Sequence, residues 1–131
     1  MIRKRILNPE RVRRIAGGFS YIPHRFLTDG FLVSLEQKEI LLYLFLILAS
    51  DRYGLSYYSY DMICSLLQLS LDQYIEARDG LMEKDLISFD GTLFQVLDLP
   101  RKPRHVTPTQ NEDPAVISRI IRQSLQEVCD D

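Results

Sequence analysis

The sequence predicts a mainly α-helical domain closed by a small β-hairpin, and three observations carry that expectation. Two serine-capped helical patterns are joined by a tight connection at Gln68-Leu69-Ser70. A long apolar run, Ile40 to Ala49, precedes them. Two β-rich runs around Asp90-Gly91 follow them.

The elements are justified in chain order. Asn8-Pro9-Glu10 has a cap and a first-turn proline, so a short helix is expected there, with Arg11 and Arg14 on one face. Phe19 to Ile22 alternates weakly and reads as a short strand or extended lead-in, and His24 to Leu32 as a short helix. Ser34-Leu35-Glu36-Gln37 has the capping-box pattern, which predicts a helix from there to about Ser50. Its run Ile40–Leu48 has no polar side, so it is expected to be buried all round, by other elements or by a second subunit. Asp51 to Gly54 is a turn, and Leu55 to Tyr58 a short strand. Ser59 caps a helix over Tyr60–Leu67 with Ile63, Leu66 and Leu67 inward. Ser70 caps the next, with Tyr74, Ala77 and Leu81 inward and an end near Lys84-Asp85. The hairpin pairs Leu86–Phe89 with Thr92–Leu97.

The 131 residues divide into a basic arm (1–18), a central domain (19–99), a proline-containing linker (100–113) and a terminal amphipathic helix (114–131). Ile117, Ile120, Ile121, Leu125 and Val128 form the stripe of that last helix. Net charge is −2 but unevenly spread: residues 1–25 carry +6, residues 26–99 carry −8, and the remainder is neutral. A basic arm on an acidic body reads as an arm that lies along phosphates or enters a minor groove, the alternatives being a solubilising tail or a segment that pairs with the acidic body in cis or across a dimer. Two cysteines, Cys64 and Cys129, are too few for a disulfide framework. No apolar run approaches the ~20 residues that span a bilayer, and no signal pattern is seen. A cytoplasmic, bacterial protein with no membrane partner is expected.

The stretch Met62–Phe89 resembles the helix-turn-helix of the winged-helix superfamily. Cys64 is the small residue after Ile63; Leu66 and Leu67 precede the turn; Ser70 caps the recognition helix. Tyr74, Ala77 and Leu81 fall four, seven and eleven residues after it. Glu83-Lys84-Asp85-Leu86-Ile87 matches the family's Glu-Lys-Gly-Leu-Ile ending except for one Gly. Phe19-Ser20-Tyr21-Ile22-Pro23 and Leu35 to Tyr43 are similar to winged-helix domains of phage replisome organisers and plasmid replication proteins. The resemblance covers about residues 19–99 and implies a winged helix-turn-helix that binds DNA in transcription or replication control. Two departures stand out. Gln68 and Asp85 occupy positions where the family favours Gly. The outer face of the recognition helix, Leu71, Asp72, Gln73, Ile75, Glu76 and Asp79, offers carboxylates where the family offers cations and amides.

The DNA contacts are therefore assigned to Arg3, Lys4, Arg5, Arg11, Arg13 and Arg14, which would hold duplex phosphates with little sequence preference. The alternative is a protein-interaction module whose acidic helix face meets a basic partner. A homodimer is expected from the apolar Ile40–Leu48 run and the terminal stripe. Tyr53, Tyr57, Tyr58 and Tyr60 read as strand and core packing with surface hydroxyls, the alternative being the stacking of bases or peptide side chains. No nucleophile elbow, P-loop or zinc spacing is present, so no catalytic residue, metal or cofactor is assigned and the chain is not expected to be an enzyme. Cys64 reads as a small packing residue.

Overall fold

The computed structural model describes residues 2–103. The expected terminal helix, Cys129 and most of the linker lie outside them. Residues 2–24 are exposed throughout. Within them Asn8 caps a single 3-10 turn, Pro9–Arg11, its side chain accepting from the Glu10 backbone N–H at 3.2 Å. Val12 is already extended, so Arg11 and Arg14 do not share the helical face expected of them. Of the two readings of residues 19–22, the strand does not form; the sheet takes none of these residues.

Helix α1, Arg25–Thr28, and a 3-10 turn, Leu32–Ser34, lead into α2, Gln37–Ala49. The predicted cap is two residues early. The Ser34 hydroxyl donates to Phe31 O at 2.6 Å inside the 3-10 turn. Glu36 and Glu39 form the capping box instead, Glu39 Oε1 accepting from the Glu36 N–H at 2.7 Å. The reason lies across the fold: Glu39 is only 3% exposed and receives Lys84 Nζ at 2.6 Å.

Within the chain α2 is covered on one side only, so other elements alone do not bury it all round. Leu42, Tyr43, Leu46 and Ile47 face the core, while Leu41, Leu44 and Leu48 on the opposite side are exposed. A domain this small covers one face of its central helix, here with α4, α3 and the sheet.

Strand β1, Leu55–Ser56, precedes α3, Tyr60–Leu67, and α4, Leu71–Glu83. Strands β2, Ile87–Phe89, and β3, Phe94–Val96, complete an antiparallel sheet of order β1-β3-β2, with Phe89 opposite Phe94 and Leu55 opposite Gln95. The hairpin connection is thus four residues, Asp90 to Leu93, rather than the two-residue Asp-Gly turn. Gly54 is fixed by its surroundings: its φ is +84°, and a Cβ would stand 2.5 Å from Val96 O. Phe31, Leu42, Leu46, Ile63, Leu81, Leu86 and Phe94 are the largest of the fully buried side chains. Leu66, expected inward, is exposed. The inner edge of α3 runs through Ile63 and the half-buried Leu67, one turn apart, and leaves Leu66 outside.

At Gly80, α4 lies directly against the Glu39 side chain of α2. A Cβ there would meet Glu39 Oε2 at 1.9 Å. The missing side chain is what lets the buried Glu39–Lys84 pair sit between the helices.

Candidate nucleic-acid interface

Helices α3 and α4 each start at a serine cap and are joined by a short turn. The Ser59 hydroxyl accepts from the Met62 N–H at 3.4 Å and starts α3. Gln68 ends it in the left-handed conformation, φ 56° and ψ 46°, which brings the Leu69 N–H to Cys64 O at 3.0 Å. Ser70 and Gln73 then form a reciprocal capping box, at 3.1 and 2.9 Å, and α4 begins. Cys64 is half-buried beside this turn, its Sγ 3.9 Å from Ser70 O, and burial raises its thiol pKa, with Asp61 adding to the rise. Tyr74, Ala77 and Leu81 face the core as expected.

The outer face of α4 carries Leu71, Asp72, Gln73, Glu76 and Asp79, all exposed. Ile75, assigned to that face, is half-buried and packs against the core. Two of the three carboxylates bring their own cation. Glu76 receives the Lys38 ammonium, which also lies 3.3 Å from Glu36. The hydrogen bond to Glu76, more than the one to Glu36, holds the Lys38 pKa above its ordinary value. Asp79 receives Arg78 at 3.2 Å. Asp72 stands in the first turn of α4, where the helix dipole favours an anion. Glu76 and Lys38 are far apart in the chain, so no local spacing signals their pairing.

Beyond α4 the Asp90 carboxylate organises the hairpin tip. It accepts from the Leu93 and Thr92 N–H groups at 2.7 and 2.8 Å. These two bonds, Leu93 first, hold its carboxyl below the usual range. Gly91, at φ +100°, leaves the tip open.

Arg3, Lys4, Arg5, Arg11, Arg13 and Arg14 are all exposed, and none forms an ion pair among the described residues. Four of the body's cations, Arg25, Lys38, Arg78 and Lys84, are each paired with a carboxylate, while Arg52 is exposed and lies 5.0 Å from the Tyr53 ring centroid. Arg25 also donates to Pro100 O at 2.7 Å and so fastens the chain's exit from the domain. The arm joins the body where Phe19, Ser20 and Tyr21 line a groove with Tyr43 and Ile47. No hydrogen bond or ion pair ties the arm cations to α4 among the described residues.

Residues 34–87 match the family model of a helix-turn-helix domain. The described residues have the architecture of a winged helix-turn-helix. The match spans α2, α3, α4 and the start of β2, and the three-stranded sheet supplies the wing. No curated protein and no solved structure matches the chain. A helix-turn-helix domain supports a nucleic-acid-binding, regulatory role in general terms. Among the described residues no helix is long and apolar enough to cross a membrane, and no group of His, Cys, Asp and Glu is placed to hold a metal ion.

The tyrosines depart from the sequence reading. Tyr53, Tyr57 and Tyr60 are more than half exposed, and Tyr58 reaches inward only to set its edge on Phe45, at 5.2 Å between centroids. Core packing is not what most of this cluster does. The signal in the sequence was the cluster itself, in a hydrophilic setting of Ser and Asp.

Proposed function

We propose that the chain is a DNA-binding accessory or regulatory protein, in which the basic arm supplies the phosphate contacts and the winged helix positions them. One observation carries this reading: the arm's six cations are exposed and form no ion pair among the described residues, while of the body's cations all but Arg52 are held by its own carboxylates. Affinity for duplex DNA comes mainly from cations that displace condensed counterions, and here those cations lie on the arm. The neutralisation of Glu76 and Asp79 also favours DNA over a basic protein partner for the α4 face, because it lowers the field such a partner would meet. The protein acts by binding, with weak sequence preference, and a replication or transcription system of a bacterial mobile element is the setting the resemblance suggests.

A homodimer belongs to the same reading. Leu41, Leu44 and Leu48 line the uncovered side of α2 at the spacing of a helix–helix seam. The test of the main reading is a duplex titration with the full chain and with residues 1–14 deleted. Loss of binding on deletion is expected. Undiminished binding by the deleted chain would move the contacts to the helix-turn-helix itself.

A further inference from the structure

A groove of about 500 Å³ runs between α4 and the wing, and nothing above gives it a role. Its volume is in the ~300–1,000 Å³ range of ligand clefts. The β1–α3 connection contributes Tyr57, Tyr58 and Tyr60, α4 contributes Leu71 and Arg78, and the wing contributes Phe89. Tyr57 is 69% exposed and Tyr60 54%, so two aromatic faces are available. No carboxylate is among the walls, although carboxylates are frequent elsewhere on this surface.

Arg78 is not placed as a phosphate hook. Its guanidinium lies 5.2 Å from the Phe89 ring centroid and 5.6 Å from that of Tyr74, and Asp79 takes its hydrogen bonds at 3.2 Å. It is a flat plate with its charge largely answered. Flat aromatic and guanidinium surfaces suit the faces of bases, and paired DNA presents only base edges in its grooves. The groove also borders α4, the second helix of the helix-turn-helix, which is the element such domains turn toward nucleic acid.

We infer that this groove takes an unpaired nucleobase, from single-stranded DNA adjoining a duplex, stacked on Tyr57 and Tyr60. The inference rests on the DNA-binding reading. The two parts divide the work. The groove offers stacking and almost no net charge, and the arm offers charge and no stacking surface. The 18 residues before Phe19 span up to ~60 Å when extended, enough to reach phosphates on either side of the groove.

The experiment compares three ligands for the full-length protein by fluorescence anisotropy: a blunt duplex, the duplex with a six-nucleotide single-stranded extension, and the same extension made abasic. The last two carry equal phosphate charge. Stacking one base on an aromatic side chain is worth roughly 5- to 150-fold in affinity. The base-bearing extension should therefore bind at least about fivefold more tightly than the abasic one. In Tyr57→Ala/Tyr60→Ala that preference should vanish while blunt-duplex affinity stays the same. Both tyrosines are exposed, and circular dichroism checks that the fold persists. Equal binding of base-bearing and abasic extensions overturns the inference and leaves the DNA reading standing. A preference that survives in the double variant overturns it too. Absence of binding to all three ligands, at low salt, removes the DNA reading and this inference with it.

Discussion

Gln68 and Asp85 occupy left-handed backbone, at φ 56° and 63°, in the turn between α3 and α4 and in the step from α4 to the wing. A side chain in that region costs about 1–2 kcal/mol relative to glycine, part of which glycine's greater unfolded freedom returns. Gln68→Gly should therefore stabilise the domain by ~0.5–1 kcal/mol in chemical denaturation. A loss of stability would mean that the glutamine side chain makes a compensating contact. Gly80 behaves in the opposite sense. In an ordinary helix interior Gly→Ala gains ~1 kcal/mol. Here the new methyl would strike Glu39, which cannot swing away because Lys84 and the Glu36 N–H hold its carboxylate. Gly80→Ala should cost ~1–3 kcal/mol, as overpacking does. A gain in the same denaturation experiment would show that Glu39 has room to move.

At the scale of elements, the capped helices were the legible part. Ser59 and Ser70 announce α3 and α4 because caps, turn and inward stripe lie within a few residues of one another. The start of α2 was not legible. Ser34-Gln37 and Glu36-Glu39 are both plausible caps locally, and the choice is made by Lys84, remote in sequence. The faces of α2 were hidden for a related reason: with apolar residues on every side, only the packing of α4 and the sheet decides which leucines stay in water. The acidic face of α4 was legible as a surface except at the half-buried Ile75, while its ion pairs were not, since Lys38 comes from α2. Those pairs sharpen a prediction. Replacing Asp72, Glu76 and Asp79 together by Ala removes three negative charges, frees Arg78 of Asp79 and leaves Lys38 with Glu36 alone. Duplex binding should strengthen by roughly tenfold at low salt, measured by anisotropy. If the α4 face is instead a protein-binding surface, the same variant loses its partner and gains nothing on DNA.

At the scale of the whole molecule, a basic arm precedes an acidic winged helix whose central helix keeps a leucine stripe in water. If α2 pairs with its copy, light scattering at micromolar concentration should return twice the 15.3 kDa of the chain. Leu44→Glu should return the monomer without unfolding it, because Leu44 is exposed. A wild-type mass of one chain would remove the dimer and leave the arm's role intact. That role is the centre of the account, and its most direct measurement is the slope of log affinity against log salt on duplex DNA. Each phosphate neutralised contributes about −0.9. Contacts from four to six of Arg3, Lys4, Arg5, Arg11, Arg13 and Arg14 give a slope of roughly −4 to −5, which should fall close to zero when residues 1–14 are deleted. A slope that is unchanged by the deletion would contradict the account, for it would place the phosphate contacts on the helix-turn-helix body.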